Sequence, residues 1–124
     1  MIRITRLIKK DSLDKILLDK NISKIVIRTY VQNLENPNFY RIYIHLKIKV
    51  IEWNQFIQEG LNTANNLKLE NTKMYETLQT TLNMAKCEGV LREASFKKFN
   101  NLVLPSKTMK EFINKYTQEY FNNL

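Results

Sequence analysis

Cysteine and histidine are almost missing from this chain of 124 residues: Cys87 and His45 stand alone. A lone thiol closes no internal disulfide, so nothing here points to secretion. One Cys and one His fall short of the four donors that a structural zinc site needs. The acids Asp11, Asp14 and Glu35 are dispersed, which leaves no cluster for a hard cation. Glycine and proline number two each, Gly60, Gly89, Pro37 and Pro105. Neither glycine has a phosphate-loop context, so the nucleotide-binding loops are absent. No apolar run approaches the roughly 20 residues of a membrane span. Met1 to Lys10 lacks the continuous apolar stretch of a signal peptide. The expectation is a cytoplasmic protein (host cytoplasm or virion if viral) with no cofactor, metal, membrane or small-molecule substrate.

Catalysis is disfavoured by the same subtraction. His45 lies among Arg41, Tyr43 and Lys47, whereas Asp11, Asp14 and Asp19 all lie on or beside the first helix. Triad chemistry needs an acid to orient the histidine, and no spacing aims one at His45. Cys87 reads as a small helix residue and His45 as a residue of a β-face. No signature marks a working pair of glutamates. The chain is expected not to be an enzyme.

Apolar residues make up 44% of the chain, enough for a real core. The length suits a single domain over residues 1–124, mainly β with one short helix to residue 51 and helical afterwards. Lysine and arginine number 20 against 12 acids, giving +8 and a pI near 9.6. Residues 1–62 carry 11 basic and 6 acidic side chains, and residues 63–124 carry 9 and 6. The charge is therefore no basic tail. Such a balance favours acidic partners, or serves solubility alone. Abundant Asn, Ile, Lys and Tyr suggest an AT-rich genome, as phages, other mobile elements and many bacteria have.

Ile2 to Ile8 alternates apolar and polar residues and predicts a strand. Asp11 offers an N-cap for a helix over Ser12 to Lys20. Ser23 to Gln32 is rich in β-branched residues. A turn over Asn33 to Asn38 follows. From Phe39 to Ile51, Tyr40, Ile42, Ile44, Leu46, Ile48 and Val50 alternate with Arg41, Tyr43, His45, Lys47 and Lys49. This predicts a long antiparallel hairpin over about 23–51. Helical spacing then takes over, through Trp53, Phe56, Ile57, Gly60, Leu61, Ala64 and Leu67. A break falls near residue 70. Further helices are predicted over Thr72 to Glu88, with Gly89 as C-cap, over about Leu91 to Asn100, and from Thr108, where Thr108 to Glu111 forms a capping-box pattern. The fold class is α+β: a small antiparallel sheet followed by a three- to four-helix half.

Three features are candidates for function. The first is the polar hairpin face. Arg28 and Tyr30 would share it with Arg41, Tyr43, His45, Lys47 and Lys49, and Arg3 joins if the first strand does. Cations interleaved with rings suit a nucleic-acid platform, because bases stack on rings while cations meet phosphates. A solvated face, or one covered by helices, is the bland alternative. The second is Met84 to Leu102. Ala85, Gly89 and Val90 give it a resemblance to a helix-turn-helix, which implies a second helix presenting Arg92, Lys97, Lys98 and Asn101 to a groove. Ser95 and Lys98 depart from that family's apolar positions. The third is the aromatic stripe Phe112, Ile113, Tyr116, Tyr120 and Phe121, which is either core or a partner-binding helix beyond Pro105.

A strand ending at Val50, then Trp53, then a Leu- and Asn-containing helical stretch to Phe99 resembles the arm-binding N-terminal region of some tyrosine recombinases. It covers under half the chain, and no recombinase catalytic domain follows. Taken together, the expectation is a non-enzymatic basic protein contacting DNA, RNA or a nucleoprotein complex, such as a phage or mobile-element accessory protein. The alternative is an assembly subunit of a virus particle or large complex, held by protein or homo-oligomer contacts.

Overall fold

Alternate isoleucines draw the N-terminal segment into a strand, since a period of two puts Ile2, Ile4 and Ile8 on one side. The computed structural model describes residues 1–28, 38–68, 70–100 and 106–124, with Arg28 and Phe99 by backbone only. The first strand is β1 (Ile2–Lys9). A 3-10 turn at Lys10–Ser12 and the short helix α1 (Leu13–Leu17) lead to β2 (Ile22–Arg28), and β3 (Phe39–Leu46) follows. Two long helices come next, α2 (Val50–Leu67) and α3 (Thr72–Glu88). The chain then returns to the sheet as β4 (Leu91–Arg92) and continues as α4 (Glu93–Phe99), α5 (Lys107–Lys115) and α6 (Gln118–Asn122).

The fold is α+β, with a four-stranded sheet in the order β2-β3-β1-β4. β3 pairs antiparallel with both β1 and β2, whereas β4 runs parallel to the start of β1. The sheet is therefore mixed rather than purely antiparallel, and five helices rather than three or four follow β3 among the described residues. Ile4 faces Ile44, which faces Ile25, so the apolar residues of three strands share one side. The helices cover that side. Trp53, Phe56, Leu78, Leu82, Phe96, Met109, Ile113 and Phe121 form one cluster with Ile2, Ile4, Ile42, Ile44 and Leu46.

The hairpin is shorter than its alternation suggests. Ile2 of β1 and Ile22 of β2 both pair with Leu46. Beyond Leu46 no strand remains to pair, and the Lys47 N–H instead donates to the Asn21 carbonyl at 2.7 Å. Helix α2 begins at Val50, and Val50 and Ile51 are 74% and 72% exposed. Residues 29–37, with the predicted strand end and most of the turn, lie outside the described residues.

Other local expectations divide by cause. Asn71 caps α3 by accepting from the Met74 N–H, which explains the break near residue 70. Gly89 ends α3 at φ 69°, a left-handed conformation that costs glycine little. Gly60 lets α2 approach α3: a Cβ there would stand 2.6 Å from Leu82 Cδ1. Asp11 is no cap, since it lies within the 3-10 turn and α1 starts at Leu13. Ser106, not Thr108, caps α5, and its hydroxyl accepts from the Met109 N–H. Leu91 and Arg92 form strand rather than helix because the Leu91 N–H reaches the Met1 carbonyl at 2.9 Å.

Arg6 breaks the apolar pattern of β1. It sits opposite Ile42, on the covered side, with its side chain only 10% exposed. Glu93 takes it in a fork, at 2.8 Å from Nη1 and 2.7 Å from Nη2, and Nε and Nη2 also donate to the Tyr116 carbonyl. The guanidinium holds the Glu93 carboxyl below the usual carboxylate range, against the burial that would raise it. This pair joins β1, α4 and the end of α5. Removing one partner strands a largely buried charge, a loss of about 3–5 kcal/mol. Urea unfolding is expected to show Glu93→Ala destabilised by about that amount, with Arg6→Met/Glu93→Leu closer to the parent chain because no orphan charge remains.

Candidate nucleic-acid interface

The opposite side of the sheet carries what the pleat turns away from the core. Its side chains fall in rows across the strands. Lys24, His45 and Arg3 stand in one row; Val26, Tyr43 and Thr5 in the next; then Arg41 and Leu7, in register with the backbone of Arg28; then Phe39 and Lys9. Thr5, Lys9 and Lys24 are exposed, and Arg3, Arg41, Tyr43, His45 and Phe39 are half-buried. Leu7, Val26, Phe39 and Tyr43 lie outside the core cluster. Among the described residues, helices thus cover one side of the sheet and leave the other open.

The electrostatics of this face follow from its composition. β1, β2 and β3 contain Arg3, Arg6, Lys9, Lys24, Arg28 and Arg41 and no Asp or Glu. Of those whose side chains are described, only Arg6 points to the covered side. Ion pairs among the described residues join Arg6 to Glu93, Lys97 to Glu93 and Lys107 to Glu111, none of them on the open face. The Arg3 guanidinium lies 5.4 Å from the centre of the Tyr43 ring, within cation–π range. Burial and then the charges of Arg3, Lys24 and the N-terminal amine hold the His45 imidazole below its ordinary value. That amine donates to the Gly89 carbonyl at 2.7 Å, and its own burial pushes it down to about 6.

The predicted site residues separate into three groups. Arg28 pairs with Arg41 in the register, and Tyr43 lies one row away. Lys47 and Lys49 are exposed but lie past the end of β3, Lys49 at the N-cap of α2, so they leave the strand's alternation. Tyr30 falls outside the described residues. Lys24, Lys9, Thr5 and Phe39 join the face unforeseen. For Lys24, Lys9 and Thr5 the signal lies in pairing between strands, which sequence alternation alone does not register; Phe39 stands two residues before Arg41 on β3, so alternation already places it there.

Arg92, Lys97 and Lys98 are exposed around α4. The expected helix-turn-helix is instead helix–strand–helix. Gly89 makes the turn and Ala85 is buried as foreseen, but β4 ties the connection to β1. Lys97 is 3.4 Å from Glu93, and Phe96 of α4 packs in the core. The recombinase-like strand ends at Leu46 rather than Val50.

The aromatic stripe is core, which corrects its reading as a partner surface. Tyr116 and Phe121 are buried, and Phe112 and Tyr120 pack against the cluster. The Tyr116 hydroxyl donates to Asp19 Oδ2 at 2.6 Å, and Tyr120 does so at 3.4 Å. Burial and the adjacent Asp19 carboxylate raise both phenols.

Among the described residues no cluster of three His, Cys, Asp or Glu residues is placed to hold a metal, and no helix is long and apolar enough to cross a membrane. Comparison with protein-family models, curated proteins and solved structures gives no match.

His45 offers a direct measure of this face. Its folded-state value lies below the ordinary ~6.5, so the unfolded chain takes a proton first as the pH falls. Stability is therefore full above about pH 6.5 and declines below it until the folded state protonates too. An NMR titration is expected to place His45 below the ordinary imidazole range, and Lys24→Gln is expected to move it upward.

Proposed function

We propose that the open sheet face binds nucleic acid and that the protein acts by holding it, without making or breaking a bond. The observation that carries this reading is the set Arg3, Lys9, Lys24 and Arg41 on one face that the described helices leave uncovered, in strands without an acid. Four cations arrayed on a face attract phosphates and release their condensed counterions. Rings among them add contact with bases. Arg92, Lys97 and Lys98 form a secondary basic region toward the other end of the order of strands.

A second reading, an assembly subunit, draws on exposed aliphatic residues. Leu17 and Leu18 end α1 at 60% and 81% exposure, and Val50 and Ile51 start α2. Both segments adjoin the end of the sheet where Asn21 meets Lys47. Such a patch suits a protein contact. Light scattering separates the readings: a monomer that binds oligonucleotides supports the first, and a stable oligomer without such affinity supports the second.

Affinity for oligonucleotides is expected to fall steeply with salt, with a log–log slope of about −2.8 to −3.6 if four phosphates are met at ~0.7–0.9 each. Arg41→Ala is expected to weaken binding and reduce the slope by about 1. Lys73→Ala, an exposed charge on α3, serves as the control. Absence of salt-sensitive binding, or equal effects of the two substitutions, removes this face from consideration.

A further inference from the structure

We infer that the nucleic acid held on this face is single-stranded, with bases splayed onto the sheet; this deepens the nucleic-acid reading and rests on it. The carrying observation is the order along β3. On the open side His45, Tyr43, Arg41 and Phe39 follow one another, so the Arg41 cation stands between two aromatic rings. Same-face neighbours on a strand lie ~6.8 Å apart, and the two rings therefore stand about 14 Å apart.

A closed duplex makes no use of this pattern. Its bases stack at a rise of ~3.4 Å per strand and hide their faces from a flat surface. Its major groove, ~12 Å wide, admits a helix or a two-stranded ribbon. This platform is a four-stranded sheet backed by helices, too broad to enter. Duplex would meet the cations through its phosphates alone and leave Tyr43 and Phe39 without a base.

A single strand matches the pattern directly. Pulled out to about twice the stacked rise, it advances about one nucleotide per row. Bases two nucleotides apart then reach the Tyr43 and Phe39 rings, and the phosphates pass the cations Arg3, Lys24 and Arg41 of the rows beside them. Arg3 lies 5.4 Å from the Tyr43 ring centre, so a planar cation and a ring present a joined surface. Bases stack on guanidinium planes as well as on rings. Phe39 and Tyr43 are half-buried outside the core, which keeps their substitution from breaking the fold.

The test is fluorescence anisotropy on the full chain with a thymidine DNA oligomer, a uridine RNA oligomer and a DNA duplex of equal length. Either single strand is expected to bind at least about tenfold tighter than the duplex. Tyr43→Ala is expected to lower single-strand affinity about tenfold while leaving duplex affinity and the salt slope unchanged. Tyr43→Phe, which keeps the ring, is expected to bind like the parent. Circular dichroism confirms that each variant is folded. Duplex binding as tight as single-strand binding, or an equal loss on both from Tyr43→Ala, overturns the single-strand inference and leaves nucleic-acid binding standing. No salt-sensitive binding to any of the three overturns the nucleic-acid reading itself.

Discussion

One-sided burial of a pleated sheet organises this molecule. Successive side chains of a strand point to opposite faces, so a helical layer on one face must leave the other uncovered unless more chain is laid over it. Here the helices that follow β3 lie on the isoleucine face, where Ile4, Ile42 and Ile44 are almost wholly buried. Removing such side chains from water contributes about 1.5–3 kcal/mol each. Basic side chains on that face would need partners or lose hydration, and of the described ones in the long strands Arg3, Lys9, Lys24 and Arg41 occupy the other side. The open basic face is thus a consequence of how the core is made.

Arg6 shows what it takes to place a cation on the wrong side. It needs both oxygens of Glu93 and the Tyr116 carbonyl. Such pairs are weak stabilisers but strong constraints, because either charge alone in the interior is costly. This one ties the first strand to the last third of the chain. Gln118 adds a second tie, since its side-chain amide donates to the Leu7 carbonyl and accepts from the Leu7 N–H. It meets β1 past Arg3, where β4 no longer pairs, and so blunts an open strand edge. The tyrosines of α5 and α6 complete the docking through Asp19.

The functional proposal depends on the contrast between these two faces. Arg6 is consumed by its partners, whereas Arg3, Lys24 and Arg41 have no carboxylate partner among the described residues. Mutual repulsion among them is tolerable in water, where charges at these separations interact weakly. It also leaves an uncompensated field to be met by a polyanion. Burial first, and this field after it, depress the His45 imidazole inside the row.

Much of this was legible in the residues alone, and the reason is locality. Alternation through Ile42, Ile44 and Leu46, the helical spacing of α2 and α3, and the stop at Gly89 are set by contacts within a few residues, so period and glycine conformation suffice to find them. The end of β3, the strand at Leu91, the cap at Ser106 and the burial of Tyr116 were set by segments far away in the chain. A strand needs a neighbour with free backbone groups, and an aromatic stripe is core or surface only according to what packs on it. The sequence by itself determined that Arg41 and Tyr43 share a side and that this side is basic. Only the tertiary structure decided that Arg3, Lys9 and Lys24 join them and that Arg6 does not, because cross-strand register and the choice of covered face arise from long-range pairing.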